Sequence, residues 1–587
     1  MSDEAGSSLT PLGKLISIVL ILGLVGLGVY IVMGKGETPK PSGSGPVSKK
    51  TGDGPAPDGP EIPPPPGESL EAPDLTGITT VKEYKYVPAD KLPPVKGAAA
   101  YKWDEKNKTF VFSYNVWAGW LPVIAANHGT EPNEESVFFK KYGFNVQMKL
   151  MDDPVAARDA FAAGEVHSMW GTVDMLVLFA GELLRDSRTS PRIVQQVDWS
   201  SGGDGIVVRT KSIKSVKDLA GKTVTLAQNA PSEYYLTSLL LSAGMKPADI
   251  KPKYTATAFE AAAAFVSDPS VHACVTWAPD IYNIPERVAG TKILSSTADA
   301  NKLIADVYAV RADFVRDHPE IVEGLVAGIF EGMDMVKADP APACAWMAAA
   351  FQMTPQEVDG MRGDFHTTNF AENVQFFLNQ SNPTNFERTW SNAGYVYRKL
   401  GRMDAPVNFD QVMDFGFVKK LQEKGTFKHH QDENVASFTP GAVKQIAEAP
   451  ILTQTIRINF FPNSANPYEG ARDQFGNLVA GKLYDPNVDA TLEQCARLSG
   501  QFDRAVVLIE GHTDSSMRGK VPEDAVKRLS LDRANSIKQA LIEKFKFDPN
   551  KFIVKGIGWE KAFDPNQPDN HTLNRRVEIS IFPPEQQ

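Results

Sequence analysis

Between Tyr101 and Gln422 short apolar runs alternate with helical stretches, and this alternation most constrains the fold. Thr109–Tyr114 (TFVFSY), Asn145–Leu150 (NVQMKL), Ile206–Val208, Thr223–Leu226 and Val271–Trp277 read as strands, and Met169 and Trp170 end another. Trp120–Asn127, Pro154–Ala163 and Ser232–Ala243 read as helices, the last with Ser232 as N-cap. Strands separated by helices predict an α/β fold with mostly parallel sheets. In such sheets ligands bind where strands end and helices begin.

The predicted strand-end loops are rich in aromatic and acidic residues. Trp117, Trp120, Trp170, Trp199 and Trp277, five of the nine tryptophans, fall in or beside them, with Asp174, Asp198 and Asp280 nearby. Aromatic faces and carboxylates suit a cation or zwitterion. Asn229 and Ser232, at a helix start, suit an anionic head group instead. The two alternatives stay open.

The order of segments resembles the type 2 periplasmic solute-binding proteins of the nitrate, sulfonate, taurine and thiamine-precursor group. The carrying residues are Asn115–Pro122 (NVWAGWLP), Gly171–Asp174 (GTVD), Ser201–Val208 (SGGDGIVV), Val216–Val224 (VKDLAGKTV) and Trp277–Asp280 (WAPD). The resemblance implies two α/β lobes that close on a small anionic or zwitterionic solute. Its expected contacts are Trp117, Trp120, Thr172, Asp174, Asp198, Asn229, Ser232, Trp277 and Asp280.

Further along, Ala505–Ile509 (AVVLI) reads as a buried strand. A polar loop with His512, Thr513 and Asp514 follows, then a helix whose apolar positions include Leu529, Ala534, Ile537 and Leu541, with Ser530 as N-cap. Asp514 and Arg533 then face each other across the gap. A carboxylate and a guanidinium together suit a ligand carrying both an amine and a carboxylate. GHTD, LSxxRA and Asn574–Ile579 (NRRVEI) occur in the order of the OmpA-like peptidoglycan-binding domain, which Leu452–Pro583 resembles. The resemblance implies that Asp514 and Arg533 hold the diaminopimelate of a stem peptide, with Thr513, Asn463 and Arg576 lining the pocket. Asn463 follows a predicted first strand, IRINFF. Met517 stands where the family has Gly, Val526 where it has Asn, and the loop before LSxxRA is longer.

Leu15–Met33 is 19 residues without a charge, enough for a membrane-crossing helix. It carries no acidic group, which counts against an ion-conducting motor subunit. Lys14 precedes it and Lys35 and Lys40 follow, so charge does not set its orientation. Residues 34–100, dominated by Pro, Gly and Ser, predict an extended, disordered spacer. The expected order is therefore a tail (1–14), a transmembrane helix (15–33), a linker (34–100), a two-lobed solute-binding domain (101–422), a second linker (423–450) with a short helix at Gly441–Ala449, and an OmpA-like domain (451–587).

A net charge of −10 and the lack of a basic tract exclude a nucleic-acid partner. Cys274, Cys344 and Cys495 are too few and too far apart for a metal site or a disulfide framework. His128, His366, His429 and His430 lack metal-ligand spacing, and no GxSxG motif is present. Neither cofactor nor catalysis is expected. The chain reads as a single-pass inner-membrane protein with its bulk in the periplasm. It is expected to hold peptidoglycan and a small solute, and to serve a transporter or a signalling partner. The alternative is a structural link from membrane to wall with a degenerate solute domain.

Overall fold

The structure, a computed structural model, describes residues 77–89, 92–210, 213–438, 450–456, 458–461 and 463–582. The apolar segment Leu15–Met33, the linker up to residue 76 and the stretch Gly441–Ala449 lie outside the described residues. Among the described residues no helix is long and apolar enough to cross a membrane.

Two sheets form the middle of the chain. Strands β1 (Thr109–Tyr114), β2 (Asn145–Leu150), β3 (Ser168–Thr172), β4 (Pro191–Ser200), β10 (Ala305–Arg311) and β11 (Phe365–Thr367) build the first, in the order β11-β4-β10-β3-β1-β2. Strands β5 (Asp204–Arg209), β6 (Thr223–Ala227), β7 (Lys251–Thr255), β8 (Ala273–Trp277) and β9 (Thr291–Ser296) build the second, in the order β7-β6-β8-β5-β9. The chain crosses from the first sheet to the second between β4 and β5, and returns between β9 and β10. Two crossings make two lobes, as the sequence predicts. The expected mostly parallel sheets need correction. β1 runs parallel to β2 and β3, and β6 to β7 and β8, but β5 and β10, the strands that begin where the chain crosses, run antiparallel to their neighbours.

The crossings are stitched together. Ser200 Oγ lies 2.8 Å from Thr297 Oγ1, which also accepts from Gly202 N at 2.9 Å. Six helices position the sites: α1 (Val173–Leu183), α2 (Pro231–Ser242), α3 (Asp280–Arg287), α4 (Phe386–Leu400), α5 (Val488–Gln501) and α6 (Glu523–Phe545). Ser232 is not the N-cap of α2. Pro231 opens that helix behind Ala230, where its fixed φ suits the first turn, and Ser232 lies inside.

Residues 77–89 and 92–100, expected within a disordered spacer, have no regular helix or strand yet lie against both lobes. Val87 N donates to Tyr254 O at 2.9 Å, and Thr80 N and Oγ1 donate to Asp280 Oδ1 at 2.8 and 2.7 Å. On the other lobe the buried Arg158 and Arg311 donate to Pro93 O and Ala99 O at 2.7 and 2.8 Å. The stretch after α4 is also packed rather than free. Phe427 is buried, and Asn434 N donates to Glu372 Oε1 at 2.9 Å.

The C-terminal part has a mixed sheet in the order β12-β17-β15-β16, formed by β12 (Leu452–Ile456), β15 (Val506–His512), β16 (Phe552–Gly558) and β17 (Val577–Phe582). The hairpin β13 (Gly470–Arg472) and β14 (Leu478–Leu483) stands apart. The strand lies at LTQTI, before the expected IRINFF. Helix α6 starts eight residues earlier than an N-cap at Ser530 predicts. Glu523 and Asp524 in its first turn favour that start through the helix dipole. Ser530 sits mid-helix instead, donating to Lys527 O at 2.8 Å and accepting from Gly558 N at 3.0 Å. This part docks on the two-lobed domain: Arg388 Nε of α4 bonds Glu493 Oε2 of α5 at 2.8 Å, and Lys302, in the β9–β10 crossing, pairs with Asp503 at 2.9 Å.

Candidate functional site

The first site lies between the lobes, where β3, β4 and β8 end and β5 and β10 begin. The loop after β1 carries Trp117, whose Nε1 donates to Asp198 Oδ2 at 3.0 Å. Backbone without side chains makes room for this pair. A Cβ on Gly119 would stand 1.8 Å from Asp198 Oδ2, and one on Gly203 2.5 Å from the Trp117 ring. Trp277, at the end of β8, reaches the other lobe and donates to Val116 O at 3.2 Å. Helix α4 ties both lobes as well: Tyr397 OH donates to Asp174 Oδ2 at 3.1 Å, and Asn392 Nδ2 to Tyr234 OH at 2.8 Å.

All nine expected solute contacts are buried, but they do different things. Trp117, Asp174, Asp198 and Trp277 converge on the interface between the lobes. Asn229 and Ser232 stand at the start of α2, their side-chain oxygens without a protein partner. Thr172 caps α1, its Oγ1 accepting from Met175 N at 3.4 Å. Trp120 turns into the lobe core, against Phe112 and Tyr308, with its Nε1 on Asn115 Oδ1 at 2.9 Å. Asp280 is held by Thr80 from the amino-terminal stretch. The structure adds three carboxylates that sequence reasoning missed: Asp204, Asp306 and Asp364. Asp306 stands in register with Asp198 on the neighbouring strand. Only the pairing of crossing strands reveals that adjacency.

Burial pushes the carboxyls of Asp174, Asp198, Asp204 and Asp280 up to about 7. Asp364 rises to about 6 for the same reason. Asp306 rises well above its ordinary range, through burial first and the charge of Asp198 second. A cavity of about 190 Å³ adjoins this region, lined by Thr80, Tyr282, Glu286, Arg287 and Asp364 among others. Tyr282 OH donates to Asp364 Oδ1 at 2.7 Å.

The second site is at the C-terminal end of β15. Asp514 follows the strand by two residues and accepts from Ser516 N at 2.8 Å. Burial works to raise its carboxyl; the Ser516 bonds and the Arg575 guanidinium, which pairs with Oδ2, outweigh it and hold the group below its ordinary value. Arg533 projects from α6, donates to Ser464 O at 3.0 Å and lies over the Phe460 ring at 4.9 Å. Burial lowers it to about 10, with Arg575 adding to the effect and Asp514 opposing it. Among the described residues no ion pair joins Asp514 to Arg533 directly.

Thr513 is buried beside Asp514, its Oγ1 without a protein partner. Asn463 adopts a left-handed turn at φ 59° next to Ser464, the residue that accepts from Arg533. Arg576 is not brought to this site. It is buried, bonds Glu578 Oε1 at 2.9 Å and stacks on Phe563. Its neighbour Arg575 takes the place on Asp514, with His571 Nδ1 at 3.4 Å from the same carboxylate. Successive residues entering a strand point to opposite faces, so NRRV announces one inward and one outward arginine without saying which.

Asp334, His429 and His430 also converge, as do Glu510, His512 and Glu578. His430 Nδ1 accepts from Phe370 N at 3.1 Å, which leaves the proton on Nε2, facing Asp334 at 2.9 Å. Glu578 is already engaged by Arg576 and Lys561.

Residues 133–343 match the family model described as NMT1/THI5 like, and residues 482–576 match the OmpA family. The chain joins an NMT1/THI5-like domain to an OmpA domain. It is 30% identical over 131 residues to the outer membrane protein Omp38 of Acinetobacter baumannii, covering 22% of this chain and 31% of that protein. It therefore spans about a third of that relative's length. A binding protein of Brucella abortus is 28% identical over 233 residues, 38% of this chain and 66% of its own. Among solved structures, the alkanesulfonate-binding protein SsuA of Xanthomonas axonopodis pv. citri covers 54% of this chain with all of its own, at 14% identity and a TM-score of 0.41. The periplasmic nitrate-binding protein NrtA of Synechocystis covers 56% of this chain with 90% of its own, at 14% identity and a TM-score of 0.42. The crossings of the NMT1/THI5-like domain carry the first site, and β15 and α6 of the OmpA domain carry the second.

Proposed function

We propose that the protein is a periplasmic receptor, fixed to the cell wall, that closes two lobes on a small solute. The NMT1/THI5-like domain supplies the solute site and the OmpA domain supplies the wall site. One observation carries the reading: Asp514 and Arg533 come from different elements to one partly buried site, and Arg533 is not consumed by a direct ion pair with Asp514. A carboxylate and a guanidinium so placed clasp the amine and carboxylate of a diaminopimelate stem peptide. Thr513 and Asn463 border the same place, and Arg575 moves or shares Asp514 when the peptide's amine arrives. Leu15–Met33 anchors the chain in the inner membrane, and the closed state is read by a transporter or a signalling protein there. The chemistry is binding without turnover.

The OmpA domain sits on α4 and on the β9–β10 crossing, the elements that must shift when lobes open. This contact supports a receptor whose wall domain shares in lobe motion. A purely structural link is the second reading, favoured by the bonds from Thr80 that occupy Asp280. Titration of tryptophan fluorescence with a small-molecule panel separates the two. Trp117 and Trp277 stand at the lobe interface, so a receptor gives a saturable change. A degenerate domain gives none.

A further inference from the structure

We propose that the cleft of the NMT1/THI5-like domain selects a solute with a cationic head group, an ammonium or amidinium, and rejects sulfonates, nitrate and carboxylates. The inference rests on the receptor reading above and names its ligand class. Five carboxylates act on one another at the facing edges of the two sheets. Asp174, Asp198 and Asp306 come from the first lobe, Asp204 from the second, and Asp364 from the turn before β11. Asp198 is fully buried and none of the five exceeds 6% exposure. Among the described residues none of them forms an ion pair with a lysine or arginine, while the acids act on one another. A buried acid gathers such neighbours at a cost unless a positive charge joins them.

A second, independent observation shows where that charge belongs. Tyr308 OH is buried, lies within reach of the charges of Asp198 and Asp306 and has no protein partner, nor does Asp174 Oδ1, while the Asp198 side chain hydrogen-bonds Asp306. These oxygens are acceptors or neutral hydroxyls, the donor-poor set an ammonium requires. Trp117, whose N–H holds the other Asp198 oxygen, brings an indole for cation–π contact.

A carboxylate already stands at the place an anion would choose, beside the unpartnered Ser232 Oγ. The N-terminus of α2 faces the cleft, but the chain's own Glu233 lies there, accepting from Asn229 N at 3.1 Å. Arg402 neutralises it at 2.5 Å. An incoming sulfonate meets a resident carboxylate at the helix end and five more across the cleft.

The test uses the full-length chain in detergent and compounds matched in skeleton but not in charge. These are benzamidine, 1,4-diaminobutane and propyltrimethylammonium against benzoate, propanesulfonate and nitrate. Binding is read by tryptophan fluorescence and by calorimetry in buffers of different ionisation enthalpy. Saturable binding by at least one cation is expected, weakened tenfold or more in Asp198→Asn and unchanged in Glu134→Gln. Protons are released on binding at pH 7, because a cation draws the raised carboxyls down. The sign of the proton change is measured on the unaltered chain, so it stands even if Asp198→Asn fails to fold. Saturable binding by an anion with proton uptake overturns the charge assignment alone. No saturation by any compound of either sign overturns it together with the receptor reading.

Discussion

Gly511, the glycine of the GHTD motif, sets how closely α6 approaches the sheet, and replacing it tests the wall site through its scaffold. A Cβ on Gly511 would stand 2.0 Å from Ser530 O, about 1.4 Å short of the 3.4 Å at which ordinary contact begins. The obstructing atom is backbone, so no side chain can swing away. In Gly511→Ala the helix must retreat by roughly that distance, or the strand must bend. Overpacking of this kind costs about 1–3 kcal/mol. For a domain of this size that lowers the unfolding midpoint by roughly 4–12 °C. The retreat also moves Arg533, three residues beyond Ser530 on the helix, away from Asp514, three residues beyond Gly511 in the loop that leaves the strand. Both a lower midpoint and weaker retention on purified sacculi are expected, measured by calorimetry and sedimentation of the full chain. Gly556→Ala, which would meet Lys527 O at 2.2 Å, is expected to lower the midpoint similarly. Gly360→Ala, with open space around its Cβ, is expected to leave both unchanged. If Gly511→Ala melts within 1 °C of the parent and binds sacculi equally, the reasoning about helix seating is refuted.

Other consequences are open to direct measurement. The raised carboxyls of Asp174, Asp198, Asp204 and Asp280 bind protons in the folded state that the unfolded state has lost. Their stabilisation is present below the ordinary aspartate range and is lost as pH rises through about 7. The two-lobed domain is therefore expected to melt higher at pH 5 than at pH 8, with a smaller difference in Asp174→Asn. His512 works in the opposite sense: burial, aided by Arg576, lowers it to about 4, so the OmpA domain loses stability as pH falls from 6.5 toward 4. A scan that shows both transitions moving in the same direction over pH 8 to 5 contradicts this assignment. Thr80→Val removes the hydroxyl donor to Asp280 and is expected to cost about 1–2 kcal/mol in urea unfolding; a change below 0.3 kcal/mol would show the amino-terminal stretch to be loosely held.

Legibility in the sequence followed the range of the interactions. Local patterns announced the strands TFVFSY and NVQMKL, because a buried strand must be an apolar run, and placed Trp117 in a strand-end loop with Asp174 near another strand end. Long-range pairing was not legible. Asp306 reaches Asp198 only because β10 returns from the second lobe to lie beside β4. Trp120 looked like its neighbour Trp117, three residues before it, yet one turn of chain sends it into the lobe core. Ser530 carried the chemistry of an N-cap, but acidic residues six and seven positions earlier opened the helix first. Residues 77–89 and 92–100 have spacer composition, and their order comes from partners as far as 212 residues away, Arg158 and Arg311 among them. Arg575 and Arg576 are indistinguishable by type, and the strand's pleat assigned their sides.

The account turns on Asp514 and Arg533 gripping the wall. Purified sacculi, mixed with the full chain and with Asp514→Ala, Arg533→Ala and the double variant, measure that grip directly. Each charged hydrogen bond is worth about 1.5–3 kcal/mol, so each single variant is expected to bind at least tenfold more weakly while melting like the parent. A double variant that sediments with sacculi as fully as the unaltered chain would contradict the account.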